Sequence, residues 1–162
     1  MRGEIAAPLL VGSVSLALLA GALVFQYAWN YPPCEICHWQ RWAHIAAAVL
    51  GLGGALLVAR GVRPARTGNV MGRLAILAML VGGAIGVYHA GVEWQLWEGP
   101  TACTGPGVVP GSGAEFTPFH FVRCDEAAWR FLGISLAGYN ALISFCVAAI
   151  GTVLLRRGVG RT

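Results

Sequence analysis

The stretch Tyr31-Pro32-Pro33-Cys34-Glu35-Ile36-Cys37-His38-Trp39-Gln40-Arg41-Trp42 places a Cys-x-x-Cys pair between two prolines and a long apolar run. Proline cannot continue a helix from upstream, so a new helix is predicted to begin near Cys37. Unpaired amide N–H groups and the positive end of the helix dipole favour a thiolate at such a position. Arg41 follows Cys37 by one helical turn and adds a positive charge on the same face. The stretch therefore predicts an activated thiol at the start of a helix.

The composition indicates a membrane protein made of one compact domain. Of its 162 residues, 57% are hydrophobic and only 11% are charged, whereas soluble domains carry about a quarter charged residues. The net charge of +4 does not indicate nucleic acid binding, because the arginines form no single basic patch. They are instead sorted to one side of the membrane.

Four apolar runs predict an all-α, four-transmembrane-helix bundle. Each is close to the 20 residues that cross a bilayer as a helix, and they lie at about residues 8–28, 40–59, 74–90 and 131–155. A cleaved signal peptide is the competing interpretation of the first run, with Ala20-Gly21-Ala22 as its cleavage site. The apolar run continues past that site through Leu23-Val24-Phe25, which favours an uncleaved span.

The arginines predict the orientation of the bundle in the membrane. Eight of the eleven fall on one side, which the positive-inside rule makes cytoplasmic, together with both termini. These eight are Arg2, Arg60, Arg63, Arg66, Arg73, Arg156, Arg157 and Arg161. The outer side then carries two loops, at about residues 29–39 and about residues 91–130. The second loop is long and is expected to be irregular. Glycines inside the spans, among them Gly51 and Gly53, are expected to permit close helix packing.

Four of the five cysteines fall on the outer, oxidising side, in two pairs. Cys34 and Cys37 form the first pair, and Cys103 and Cys124 lie in the long outer loop. Two structural disulfides are one interpretation. A small CxxC ring is strained and labile, however, and a loop so rich in Gly and Pro builds no core, so a disulfide there is expected to be accessible. The pattern of the two pairs favours redox function. The fifth cysteine, Cys146, lies in the fourth span and is expected to be a small core residue.

Two further interpretations of the cysteines involve a metal or a haem. The letters Cys34-Glu35-Ile36-Cys37-His38 match the c-type haem attachment signature, which also needs a second axial ligand and an enclosing pocket. Zinc bound by the four outer cysteines lacks the usual second CxxC pair, so no metal site is predicted.

Among the other histidines, His89 is the functional candidate. It ends the third span at the depth where the second span presents Cys37 and Arg41, and ionisable residues inside a membrane are functional candidates by default. His44 and His120 are expected to be satisfied polar groups.

The combination of these features resembles the DsbB family, the bacterial inner-membrane thiol oxidases that pass electrons to quinone. The resemblance covers nearly the whole chain. It rests on Pro33-Cys34-Glu35-Ile36-Cys37 with Gln40-Arg41, on Tyr88-His89 before Cys103, and on Cys124-Asp125 with Trp129-Arg130-Phe131-Leu132-Gly133. His38, which creates the haem-like signature, is not a residue that the family is known to require.

The resemblance implies a relay of electrons on the periplasmic side of the inner membrane. A Cys103–Cys124 disulfide would accept electrons from a reduced DsbA-like thioredoxin-fold protein, most directly at Cys103. Cys34 would link that disulfide to Cys37, which would face ubiquinone or menaquinone from the membrane pool.

Arg41 and His89 would hydrogen-bond the quinone carbonyl oxygens. Two alternatives to this relay stay open at this point. One is an enzyme working in the reducing direction, similar to vitamin K epoxide reductases, and the other is a c-type haem-binding electron carrier.

Overall fold

A computed structural model of the protein describes residues 3–62, 64–104 and 122–159. Four helices are long and apolar enough to cross a membrane, which confirms the predicted all-α, four-span class. They are α1 (Gly3–Tyr27), α2 (Glu35–Ala59), α3 (Pro64–Glu93) and α5 (Leu136–Val159). The shorter elements are α4 (Thr101–Thr104), β1 (Arg130–Phe131) and β2 (Ile134–Ser135). Much of the long outer loop, including His120, lies outside the described residues.

Helix α2 begins at Glu35, five residues before the predicted start of the second span, so the CxxC pair belongs to its first turn. Cys34 is the N-cap residue, with φ −78° and ψ 175°, and its Sγ accepts a hydrogen bond from the Cys37 N–H at 3.3 Å. A cysteine sulfur thus does what a serine hydroxyl does at most helix starts. The apolar run therefore did not extend back to the first turn of the helix.

The start of the fourth span corrects the sequence prediction, which placed it at Phe131. Residues 130–135 form an antiparallel hairpin in which Arg130 pairs with Ser135 and Phe131 with Ile134. The two connecting residues, Leu132 and Gly133, both have positive φ values, 50° and 80°. A two-residue turn of this kind matches the twist of paired strands, so the chain reverses there before α5 begins.

The four long helices pack through small side chains. Helices α1 and α3 each contact the other three, while α2 and α5 lie across the bundle from each other. The buried cluster at their centre includes Ala7, Val11, Ala47, Ala75, Met79 and Ala148. Cys146, which we expected in this core, is exposed on the outer face of α5. The amphipathic periodicity that would reveal this is weak in a helix that is apolar all round.

Gly51 lies where α2 crosses α1 at close range. A Cβ atom placed on it would lie 2.6 Å from the Pro8 carbonyl oxygen and 2.7 Å from the Gly12 Cα. Gly53, on the same helix, has open space at the corresponding position, so the packing role expected for it is wrong.

We therefore expect Gly51→Ala to lower the free energy of unfolding by about 1–3 kcal/mol, because backbone atoms of α1 have to shift. Gly53→Ala is the matched control and should be neutral, or stabilising by up to about 1 kcal/mol, through helix propensity. The measurement is the Tm of each purified variant in detergent, followed by tryptophan fluorescence. Equal Tm changes in the two variants would contradict the packing argument.

Candidate active site

The two cysteine pairs meet at one end of the bundle. Cys103 and Cys124 form a disulfide bond, the pairing that the resemblance implied, and the Cys124 N–H donates to the Cys103 carbonyl oxygen at 2.9 Å. Both cysteines pack in one apolar cluster with Cys34, Ile36 and Val92. Short helix α4 brings Cys103 to this cluster. The structure therefore joins residues of the first turn of α2, the end of α3 and the outer loop.

The loop disulfide is buried, which corrects the expectation that it is accessible. Cys103 is 3% exposed and Cys124 is 0% exposed. Thiol–disulfide exchange requires a thiolate to reach one of the two sulfur atoms in line. The structure therefore does not present either cysteine of this disulfide at the surface.

The CxxC pair is in its dithiol form. The two Sγ atoms lie 2.7 Å apart without a bond, compared with about 2.05 Å in a disulfide. The hydrogen bond between the two sulfurs, and then burial, raise the pKa of the Cys34 thiol above its ordinary value. Cys34 therefore holds its proton more firmly than an exposed cysteine does. Closing the pair into a disulfide needs a movement of less than an ångström.

His89 and Glu93 bring two ionisable side chains to the dithiol. The His89 Nε2 lies 3.6 Å from the Cys34 Sγ and 3.8 Å from the Glu93 Oε1, and both side chains are 5% exposed. The Glu93 Oε2 has no hydrogen-bond partner among the described residues. We did not single out Glu93 from the sequence as a site residue. The sequence feature that could have identified Glu93 is an acidic residue one helical turn after a histidine, at the end of an apolar helix.

A chain of hydrogen bonds links His89 to the centre of the bundle. The His44 Nε2 donates to the Asn140 Oδ1 at 2.7 Å. The Asn140 Nδ2 donates to the Gln40 Oε1 at 2.6 Å, and the Gln40 Nε2 donates to the His89 Nδ1 at 3.0 Å. Side chains of α2, α3 and α5 therefore form one polar network inside an apolar bundle. As expected, His44 is a hydrogen-bonded polar group, although its Nδ1 has no partner among the described residues.

Asn140 and Gln40 were not predicted as site residues. Asn140 is the only amide side chain in the apolar run of α5, which was the available signal. A polar side chain in a transmembrane helix commonly bonds to a neighbouring helix. The sequence does not reveal which helix that is, because the partner depends on how each helix is rotated about its axis.

A cavity of 310 Å³ adjoins the dithiol between α1, α2 and α5. Its walls are mostly apolar, and Cys37, Arg41 and His89 are among the residues that line it. The Arg41 Nη1 donates to the Gln26 Oε1 at 2.6 Å, and its Nη2 donates to the Ala22 carbonyl oxygen at 3.3 Å. Both of these hydrogen bonds connect Arg41 to α1. His89 is the side chain whose ring nitrogen lies next to a sulfur of the pair.

A known protein family matches almost all of the residues that form the four-helix bundle. The family described as Disulfide bond formation protein DsbB matches residues 5–154. The chain belongs to the DsbB family. A Disulfide bond formation protein B of Xanthomonas oryzae pv. oryzae is 34% identical over 142 residues, which cover 83% of this chain and 81% of the relative. That of Marinobacter nauticus is 31% identical over 162 residues, with 91% and 90% covered. No solved structure matches the chain significantly.

As a DsbB-family chain, the protein is a multi-pass membrane protein of disulfide-bond formation, and its cysteine pairs are the groups suited to that chemistry. The haem interpretation does not fit the geometry. His38, the ligand that the haem signature supplies, is exposed and does not line the cavity beside Cys37. The sulfur atoms instead face each other and His89.

Proposed function

We propose that this DsbB-family protein reoxidises a periplasmic DsbA-like dithiol protein and passes the electrons to membrane quinone, either ubiquinone or menaquinone. The observation that supports this most directly is the arrangement of the two cysteine pairs. A closed loop disulfide and an open CxxC dithiol share one apolar cluster, and the dithiol borders a cavity between the helices.

In this proposal the electrons move through two thiol–disulfide exchanges. A partner thiolate attacks the Cys103 Sγ, the Cys103–Cys124 bond breaks, and Cys124 leaves as a thiolate. The second partner thiol then resolves the mixed disulfide, which leaves the partner oxidised and the loop pair reduced. The loop thiols next reduce a Cys34–Cys37 disulfide, with Cys34 as the point of contact. In this scheme, a closed loop disulfide together with free Cys34 and Cys37 thiols is the arrangement that follows the second exchange.

The cavity fits a quinone ring in its chemistry. Its walls are mostly apolar, as suits a lipid-soluble ring, and Arg41 and His89 offer hydrogen-bond donors that would hold the two carbonyl oxygens. A quinone bound there would supply an acceptor for two electrons and two protons. Cys37 borders the cavity, so its sulfur is placed to give up electrons while Cys34 closes the disulfide.

Energetics explain why such an acceptor is needed. DsbA is a strongly oxidising couple at about −120 mV, and for two electrons about 30 mV corresponds to a factor of ten in the equilibrium constant. A CxxC disulfide of ordinary potential could not keep a partner of that kind oxidised. Coupling the CxxC pair to a more oxidising acceptor in the membrane removes this difficulty.

The orientation that we propose places the active site at the periplasmic face of the inner membrane and both termini in the cytoplasm. The described arginines Arg60, Arg66, Arg73, Arg156 and Arg157 lie at the end of the bundle away from the cysteines. Short basic connections of this kind stay on the cytoplasmic side.

We expect Arg41→Ala to raise the quinone KM by about 10- to 100-fold, because a charge-assisted hydrogen bond to a carbonyl oxygen is lost. Gln26→Ala is the matched control, since it removes the link from Arg41 to α1 but keeps the guanidinium in the cavity. The measurement is the initial rate of quinone reduction against quinone concentration for each variant. An equal KM increase in Gln26→Ala would assign Arg41 to helix packing instead.

The whole proposal is tested by anaerobic mixing of the purified protein with a reduced DsbA-like protein and a soluble quinone, while quinone absorbance is recorded. We expect one quinone to be consumed for each partner oxidised. If quinol instead drives reduction of the oxidised partner to completion, the protein works in the reducing direction. If no quinone is consumed and the protein has a Soret band, the haem alternative replaces the proposal.

A further inference from the structure

The hydrogen-bond chain that ends at His89 has a fixed direction. The Asn140 Nδ2 lies 3.3 Å from the Gly82 carbonyl oxygen as well as 2.6 Å from the Gln40 Oε1. A backbone carbonyl only accepts, so the atom of Asn140 that faces it has to be the NH₂ group. On the other side, the Ser144 hydroxyl donates to the Asn140 Oδ1 at 3.3 Å. A hydroxyl can donate or accept, so Ser144 accommodates this orientation, and the Gly82 carbonyl is the contact that determines it.

The orientation of Asn140 determines those of its neighbours. Because Asn140 donates to Gln40, the atom of Gln40 that receives the bond is its oxygen, and its NH₂ group faces the His89 Nδ1. A neutral imidazole has one nitrogen with a proton and one without. The Nδ1 of His89 accepts, so the proton resides on Nε2, the atom that lies 3.6 Å from the Cys34 Sγ.

We infer that Asn140 and Gln40 are positioning residues that hold the proton of His89 on Nε2, so that His89 acts on the dithiol as a hydrogen-bond donor and not as a proton acceptor. Nδ1 is occupied by the Gln40 N–H, and Nε2 already carries its proton. Neither nitrogen can take a proton from a thiol while the chain is intact. The single N–H of His89, on Nε2, is therefore the donor that stabilises a sulfur anion, as oxyanion-hole donors stabilise an oxygen anion, and it is also the only donor that His89 would offer to a bound quinone.

The same arrangement bears on metal binding at the dithiol. Cys34, Cys37 and His89 have their ligand atoms within 4.8 Å of one another, a separation compatible with a metal ion. A histidine that binds zinc presents an unprotonated nitrogen and donates its other N–H to an acceptor. Gln40 offers a donor where that acceptor would be needed. The direction of the chain thus favours a dithiol that remains available for disulfide chemistry.

The position of the proton can be measured directly by long-range ¹H–¹⁵N NMR of histidine-labelled protein in detergent micelles. We expect the wild-type His89 to give an unprotonated Nδ1 and a protonated Nε2. Gln40→Glu keeps the size of the side chain but places a carboxylate acceptor opposite Nδ1, so Nδ1 should become protonated. Ser144→Ala is the control, because it removes an accessory bond without changing the direction of the chain. A protonated Nδ1 in the wild type, or an unprotonated Nδ1 in Gln40→Glu, would overturn the inference.

The role of His89 as a donor is tested by the alkylation rate of Cys37, whose Sγ lies within 4.8 Å of a ring nitrogen of His89. The rate is measured at a fixed neutral pH, in a background where Cys146 is serine. Glutamine can place an N–H near the position of Nε2 but cannot accept a proton as imidazole does. His89→Gln should therefore stay within about threefold of the parent rate, whereas His89→Ala should lower it by about tenfold. Equal losses in both variants would mean that His89 acts as a base. Both measurements need neither partner nor quinone, so their failure is distinguishable from failure of the proposed function.

Discussion

Cys37→Ser is expected to abolish quinone reduction, and Cys34→Ser is expected to do the same. A dithiol gives up two electrons by forming one S–S bond, so neither sulfur alone can complete the reaction. The loss should reach the uncatalysed background, since no other thiol pair borders the cavity among the described residues. The measurement is quinone absorbance during anaerobic mixing with reduced partner.

Both variants are expected to keep the fold, which makes the loss interpretable. Cys34 is the N-cap of α2, and serine is a preferred N-cap residue, so the Cys37 N–H keeps an acceptor. Cys146→Ser is the matched control, because Cys146 is a free cysteine on the exposed face of α5. Its turnover and its Tm should equal those of the wild type. Wild-type turnover in Cys34→Ser or Cys37→Ser would remove the CxxC pair from the mechanism.

Much of this architecture could be predicted because it depends on local properties of the sequence. Four apolar runs of sufficient length imply four spanning helices, whatever their mutual packing. The proline pair before Cys34 implies a helix start, and the structure has that start at Glu35. His89 was chosen from its depth in the third span, and depth follows from residue count along a helix. These inferences use only rise per residue and hydrophobicity.

The features that were missed depend on contacts between distant segments. The burial of Cys124 depends on its packing with Cys34, Ile36, Val92 and Cys103, which lie far from it in the sequence. The hairpin at 130–135 requires a leucine with positive φ, an uncommon conformation that no pattern signals. The link from Asn140 through Gln40 to His89 depends on the rotation of three helices about their axes. In apolar helices, that rotation leaves little trace in the sequence.

Cys103→Ser and Cys124→Ser are expected to separate the two halves of the relay. Each variant should lose partner-driven quinone reduction almost completely, because the partner no longer meets a disulfide that it can attack. The CxxC pair is untouched, and Cys37 borders the cavity. Quinone reduction driven by a small dithiol such as dithiothreitol should therefore continue at close to the wild-type rate. The measurement is the ratio of the two rates for each variant.

The burial of the loop disulfide makes this ratio a sharp test. Opening a disulfide that closes a loop of 21 residues costs about 3 kcal/mol of conformational stability in the chain-entropy model. Each variant should consequently have a lower Tm than the wild type. A loss of stability alone would lower both rates together, so it cannot explain the loss of the partner reaction when the dithiothreitol reaction is retained. If the partner still drives quinone reduction in Cys103→Ser, the partner reaches Cys34 or Cys37 directly and the loop pair is a structural disulfide.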